Sequence, residues 1–218
     1  MKRVLWIVAA LLVCAAGMLA AKKKVHPHGE PGQFDYYLLS LSWSPQHCST
    51  PAGAGDSQQC AEGRQYGFVV HGLWPQYEHG FPSDCEDSDP VRSGIVRQML
   101  RLMPAEQLIQ HEWAKHGTCS GLDQPAYFKK IEQAYANVKI PLDYAGPLKQ
   151  IEVTPKEIHK EFADANPAFP EDSIRVLCNG RFLSEVRVCY TKDLKPRACS
   201  ADVRDSCKVE PIIMRPVR

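Results

Sequence analysis

SIRVLCNGRFLSEVRVCY, residues 173–190, reads as two strands, Ser173 to Cys178 and Phe182 to Tyr190, folded back on each other around Asn179-Gly180. β-Branched and aromatic residues fill both halves, and Asn-Gly is a dipeptide favoured by two-residue hairpin turns. Working outward, two more strand-like runs lie near the start of the chain. Phe34 to Trp43 is aromatic and aliphatic and stops at Ser44-Pro45. Tyr66 to His71 is a second strand, ended by Gly72 and Pro75. Between them, Pro51 to Gly63 is a Gly, Ala and Ser loop that Cys48 and Cys60 could clip.

The middle of the chain is helical in pattern. Val91, Ile95, Val96, Met99 and Leu100 have helical spacing within Val91 to Met103, and Pro104 stops that run. Ala105 to His116 fits a second helix, with Gly117 at its end. Tyr127 to Tyr135 fits a third. Thr154-Pro155-Lys156-Glu157 is a capping box with Pro at the first helical position, and Val153 and Ile158 could form the staple beside it. That helix should run to about Asn166. Gln76 to Pro90 is a loop rich in acids, and Cys189 to Cys207 is a short stapled tail. No repeat or interior linker interrupts the chain. The expected architecture is α+β: a single domain with a mainly antiparallel sheet, packed helices and disulfide stabilisation.

The 218 residues suit one domain of moderate size. With 44% hydrophobic and 23% charged residues, a disordered chain, a collagen and a coiled coil are excluded. A net charge of +1 gives no global basic field. Lys2 and Arg3 precede an apolar run from Val4 to Ala21 whose end is crowded with Ala15, Ala16, Gly17, Ala20 and Ala21. This reads as a secretory signal peptide, residues 1–21, cut near Ala20 or Ala21. An uncleaved anchor is the alternative, since Lys22, Lys23 and Lys24 cancel the charge asymmetry that would orient it. Residues 22–33 read as a flexible leader and 34–218 as the folded domain.

Cleavage would remove two basic residues and no acid, leaving a net charge of −1. It would also remove Cys14 and leave eight cysteines: Cys48, Cys60, Cys85, Cys119, Cys178, Cys189, Cys199 and Cys207. An even number in an exported chain suggests disulfides and a secreted or periplasmic location. Eight cysteines allow 105 connectivities. The absence of a C-x-x-C pair argues against a zinc ribbon. With the signal cleaved, no stable membrane association is expected, nor is any protein partner implied; a monomer is expected.

Two segments concentrate titratable groups. In HEWAKHGTC, residues 111–119, each helical residue turns ~100°. With His111 at 0°, Lys115 falls at ~40°, Glu112 at ~100° and His116 at ~140°, so all four share one arc. Trp113 and Ala114 can turn to the core. A solvated face with a Glu112–His116 ion pair is the plain alternative. A zinc-protease helix needs two His four apart. Here they are five apart, with the cation Lys115 at the ligand position. The other segment is FVVHGLWPQ, residues 68–76, where His71 ends a strand and Gly72 allows a sharp departure. Together the segments offer three His, one Glu and one Lys. That set suits metal-free phosphodiester cleavage: a base for a nearby hydroxyl, an acid for the leaving oxygen and a cation for the developing charge.

F-V-V-H-G-L-W-P and H-E-W-A-K-H-G-T-C, in this order, resemble the two signature segments of the ribonuclease T2 family, and the resemblance extends from Phe34 to the C-terminal cysteines. It implies an endoribonuclease acting on single-stranded RNA without metal or cofactor. Cleavage through the 2′-hydroxyl would leave a 2′,3′-cyclic phosphate, then a 3′-phosphate. It implies His116 as the base, His71 as the acid, Glu112 and Lys115 as transition-state stabilisers and His111 as a phosphate contact. One histidine must be neutral and the other protonated, which gives a bell-shaped pH profile with a mildly acidic optimum.

Trp74 and Phe81 are candidates to stack on a base, and Gln76 to read a base edge. Two departures concern the base sites: Ser42 stands where plant members often carry Gln, and Gln107-Leu108-Ile109-Gln110 replaces an aromatic-rich stretch. The resemblance also implies the bridges Cys85–Cys119, Cys178–Cys207, Cys189–Cys199 and Cys48–Cys60. Two other readings stay open: an exported binding protein on the same fold, and a metal site built from His71, His111 and His116.

Overall fold

The computed structural model describes residues 28–217. The expected signal peptide and the first half of the leader, residues 22–27, lie outside the described residues. Six strands form one sheet: β1 (Tyr36–Trp43), β2 (Phe68–Gln76), β3 (Ile151–Val153), β4 (Ile174–Asn179), β5 (Phe182–Tyr190) and β6 (Ile212–Met214). The order is β2-β1-β5-β6-β3, with β4 paired to β5 beside that path. Every ladder is antiparallel except the short β5–β6 contact at Phe182 and Ile213. The fold class is the expected α+β.

Strand β1 is buried on both sides, which is why Phe34 to Trp43 reads as a nearly continuous apolar run rather than an alternating one. Tyr37, Leu39, Leu41 and Trp43 enter the main core with Phe68, Val70 and Leu73 of β2 and Val186, Val188 and Tyr190 of β5. On the other face, Tyr36 and Leu38 pack with Cys189, Trp74, Cys199 and Val203.

The helices cover the main-core face. They are α1 (Ser44–His47), α2 (Pro51–Ala54), α3 (Ser57–Cys60), α4 (Ser93–Met99), α5 (Glu106–Lys115), α6 (Gln124–Ala136) and α7 (Pro155–Ala165). Helix α6 buries Tyr127, Phe128, Ile131 and Ala134, and the Tyr127 hydroxyl donates to the Leu73 carbonyl at 2.9 Å. Helix α7 packs on β4 through its buried Ile158 and Phe162. Its capping box is complete: Thr154 Oγ1 accepts from the Glu157 N–H at 3.2 Å, and Glu157 Oε2 accepts from the Thr154 N–H at 2.7 Å.

Four bridges close: Cys48–Cys60, Cys85–Cys119, Cys178–Cys207 and Cys189–Cys199. This is the pairing the resemblance implies. On the chain-entropy account each contributes about 3–4 kcal/mol by constraining the unfolded chain, so together they rival the net stability of an ordinary domain.

Several elements differ from the sequence reading, each for a local reason. Asn179 pairs with Phe182, so the hairpin turn is Gly180-Arg181, one residue later than Asn179-Gly180. Gly180 takes φ 61° and Arg181 does not go positive, which fits a turn with Gly at its first central position. Pro51 to Gly63 holds α2 and α3 because Thr50 and Asp56 cap them. Strand β2 runs through Gly72 and Pro75 rather than ending at His71; it is the sheet's edge strand, where a residue without an N–H is tolerated. The helix at Val91–Met103 shortens to α4. Strands β3 and β6 have three residues each, too few to show a period. Residues 28–33 of the expected flexible leader are docked: the His28 N–H donates to Ser83 O and the Gly32 N–H to Cys119 O.

Candidate active site

The site grows from an irregularity in β2. Gly72 pairs with Ser40 and Val70 with Leu41, so His71 is an extra residue, a β-bulge. Beyond it the alternation is shifted by one. Val70 and Leu73 both enter the core, while His71 and Trp74 both line a cleft on the opposite face. Glycine is required at position 72 because other groups occupy the space beside it. A Cβ there would lie 2.0 Å from Glu112 Oε2 and 2.3 Å from Trp74 Nε1. The glycine makes room for a carboxylate rather than turning the chain.

Helix α5 supplies the facing wall. Glu112 is 1% exposed and His116, its C-terminal cap residue, 6%. His111 is exposed and Lys115 half-buried. The polar arc is therefore split, with Glu112 and His116 inside and His111 and Lys115 on the rim. Ala114 is exposed, contrary to the expectation that it faces the core. The buried arc from Glu112 to Trp113 centres near ~150°, and Ala114 at ~300° lies opposite it. The bridge Cys85–Cys119 ties the loop after β2 to the turn that follows His116, and the Asp84 N–H donates to Lys115 O at 2.8 Å.

His71, Trp74, Gln76, Phe81, His111, Glu112, Lys115 and His116 all line one cleft of about 290 Å³, together with Leu38, Arg187 and Val203. Trp74 Nε1 donates to Glu112 Oε2 at 2.6 Å. Glu112 Oε1 stands 3.7 Å from His71 Nε2. The Trp74 ring lies 5.2 Å from the rings of both His71 and His116, and the Arg187 guanidinium sits 5.0 Å from its centroid. Trp74, expected to stack on a base, also holds Glu112 through its indole N–H. Gln76 is buried, its amide N–H donating to Pro75 O. Phe81 is 53% exposed, 6.2 Å from the His116 ring. The turn before it is clamped: the Gly80 N–H donates to Asp202 at 2.6 Å and the Glu78 N–H to Asp35 at 2.8 Å, while Arg197 pairs with the Glu78 carboxylate.

Sequence reasoning missed two residues of β5. His71 Nδ1 bonds Glu185 Oε1 at 2.9 Å, and Arg187 holds the other oxygen of Glu185 at 2.8 Å. The available signal was the pattern Glu185-Val-Arg187-Val, two charges alternating with core residues in an interior strand.

The electrostatics divide the two histidines. Burial alone would depress His71, but its bond to Glu185 and the charges of Glu112 and Glu185 outweigh burial and raise its pKa above the ordinary 6.5. Burial, with Lys115, His111 and His71 adding repulsion, lowers His116 to about 3. Burial pushes Glu112 up to about 7, against the pull of His71, Trp74 and Lys115. His111 is lowered, by burial and then by Lys115. The surroundings thus bias His116 toward the neutral imidazole and His71 toward the cation. The Nδ1 of His116 is sealed and without a partner, which leaves Nε2 as its nitrogen open to a substrate.

Among the described residues, the group spaced to hold a metal is His47, Asp56 and Cys60. Cys60 is spent in a disulfide, so it offers no thiolate. The cleft histidines do not form such a group among the described residues. The geometry makes one structural prediction. Gly72→Ala should displace Glu112 and break the Trp74 hydrogen bond, so the Trp74 indole proton resonance should move upfield. An unmoved resonance would contradict the close approach.

A sequence model described as the ribonuclease T2 family matches residues 34–199. A protein named ribonuclease from Aeromonas hydrophila is 48% identical over 118 residues, 52% of each chain. A probable ribonuclease from Haemophilus influenzae is 30% identical over 180 residues, covering 77% of this chain and 61% of its own. The chain thus spans about half to three-fifths of the length of these relatives. Among solved structures, an RNase-related protein from Calystegia sepium superposes with a TM-score of 0.65 at 26% identity, over 85% of this chain and 99% of that one.

Proposed function

The chain belongs to the ribonuclease T2 family, and on that footing we propose that it is an endoribonuclease that cuts single-stranded RNA through the 2′-hydroxyl. The observation that carries the reading is the placing of two histidines on one cleft with opposite tuning, His116 biased toward the neutral form and His71 toward the cation. Transphosphorylation needs that pair. His116 takes the 2′-hydroxyl proton as the 2′-oxygen attacks phosphorus. The bond from phosphorus to the 5′-oxygen breaks, and His71 gives that oxygen its proton. The products are a 2′,3′-cyclic phosphate and a free 5′-hydroxyl. With the proton states now exchanged, His71 can activate water and His116 can protonate the departing 2′-oxygen, leaving a 3′-phosphate.

Lys115 on the rim and Glu112 beneath it flank the same space. Lys115 stabilises the charge that develops on the pentavalent phosphorus, where a positioned cation is worth most in a partly dehydrated site. Glu112, held by Trp74 at 2.6 Å and 3.7 Å from His71 Nε2, helps Lys115 stabilise that transition state. His111 contacts a phosphate oxygen. Phe81 offers an exposed face for a base and Gln76 an edge-reading amide. A cleft of about 290 Å³ suits one splayed nucleotide better than a duplex. Four disulfides accord with an oxidising compartment, so export is part of the same reading. Among the described residues no helix is long and apolar enough to cross a membrane.

The test is cleavage of single-stranded homopolymers by the purified chain in excess chelator. Cutting with cyclic-phosphate ends is expected to persist. Loss of activity in chelator would favour a metal site instead, and RNA binding without cleavage would favour a binding protein on this fold.

A further inference from the structure

We propose that Glu185 and Arg187 form a positioning arm that fixes the orientation and proton state of His71 from two strands away. This rests on the reading of His71 as the acid for the leaving oxygen and extends it to residues outside the two motif segments.

The arm depends on an unusual route across the sheet. His71 is on β2 and Glu185 on β5, with β1 between them. Neighbouring strands lie ~4.8 Å apart, so these two backbones are separated by ~9.6 Å. Their side chains meet at 2.9 Å, and what β1 presents beneath them is small. Ser40 pairs with Gly72 on one side and Arg187 on the other, and Ser42 pairs with Val69 and Glu185. A long side chain at either serine would fill the gap. The strand offsets help as well. The bulge in β2 leaves His71 unpaired. A second irregularity near Leu177 and Cys178 leaves Ser184 unpaired beside Glu185, its hydroxyl donating to Leu177 O.

The bonding is divided without overlap. Oε1 of Glu185 accepts from His71 Nδ1, and Oε2 accepts from Arg187. With Nδ1–H committed, the ring cannot flip, and Nε2 is the nitrogen presented toward Glu112 and the cleft. Against burial, the His71 bond and then Arg187 hold the Glu185 carboxyl below the usual carboxylate range; Arg187 also lies against Trp74, so one guanidinium braces both the arm of His71 and the indole that holds Glu112. The charged and titratable groups facing His71 are therefore Glu185 and Arg187 from β5 and His111, Glu112, Lys115 and His116 from the α5 side. Of these, Glu185 makes the closest contact.

The experiment compares two substrates that differ only in the need for an acid. One is a dinucleoside monophosphate, whose alkoxide must be protonated as it leaves. The other is a nucleoside 3′-(4-nitrophenyl phosphate), whose phenolate leaves without a proton. Glu185→Gln should lower kcat on the dinucleotide by about 10- to 100-fold, less than the ~10²–10⁴ of a whole general acid, with KM nearly unchanged. On the aryl ester the loss should stay within about twofold. The alkaline limb of the dinucleotide pH profile should move to lower pH, and Glu185→Asp should restore part of the rate. Equal losses on both substrates would mean a structural role only and would overturn the proposal. His71→Ala serves as the reference. If it spares the aryl ester while Glu185→Gln does not, the positioning arm alone fails. If His71→Ala loses equally on both, the acid role of His71 fails, and the arm with it. Should Glu185→Gln fold poorly, ring nitrogen shifts of His71 in the wild-type chain decide: Nδ1 without a bonded proton would also overturn the proposal.

Discussion

Alanine in place of His116, and separately in place of His71, is expected to lower RNA cleavage by about 10²–10⁴-fold each, with unfolding transitions close to that of the parent chain. Each imidazole sits at the cleft rather than in the main core, so its removal opens space already near solvent. The pH dependence separates the two. On the proposed mechanism the active form has His116 neutral and His71 protonated. His116 is lowered to about 3, so activity rises as it loses its proton on the acid side, well below the usual imidazole range. His71 is raised above 6.5, so activity falls on the alkaline side as it loses its own. Glu112, near 7, titrates in the same interval, and that alkaline limb belongs to the coupled pair. A mildly acidic optimum falls inside this window. The residual activity of His116→Ala should lack the acid limb, and that of His71→Ala should keep only the part of the alkaline limb that Glu112 carries. Near-normal turnover in either folded variant would remove that histidine from the chemistry.

A single 2′-deoxy nucleotide placed in an RNA strand is expected to abolish cutting on its 3′ side and nowhere else. The nucleophile belongs to the substrate, so its removal leaves nothing for His116 to activate, whereas binding through phosphate and base persists. All-DNA strands should be bound weakly and left whole. Cleavage at the deoxy position at the usual rate would mean that water is the nucleophile and that the enzyme belongs to a different reaction class.

Much of the site was legible because it is carried by two contiguous segments. Within His111–Cys119, helical spacing set the members of the arc, while the family resemblance, not spacing, set His71 of Phe68–Gln76 beside it. The arc was right in its members and wrong in its outer limit, since Ala114 faces solvent. What could not be read was pairing between distant strands. Glu185 and Arg187 become site residues only when β5 lies beside β1 in the register that sets Ser42 opposite Glu185. The bulge at His71 was hidden for the same reason, because an extra residue is extra only relative to a partner. The second role of Trp74 was hidden for another reason. An indole beside a histidine suggests a stacking surface, but the hydrogen bond to Glu112 depends on a helix that arrives almost forty residues later. Phe81, exposed and adjacent to His116, is a side chain free to stack.

The bulge in β2 also places inheritance of the fold and inheritance of the activity at odds. His71 and Gly72 share the place opposite Ser40, so the strand carries one residue more than its partner needs. An in-frame loss of Gly72 would leave Val70 and Leu73 facing the core and would let the ladder pair without interruption. It would also bring the Cβ of His71 into the space now taken by the carboxylate of Glu112. Selection for stability alone would accept such a deletion once Glu112 had given way to a smaller side chain. A lineage under that selection alone would keep a sound fold in which the proposed cleft is dismantled, having lost one codon and none of its histidines.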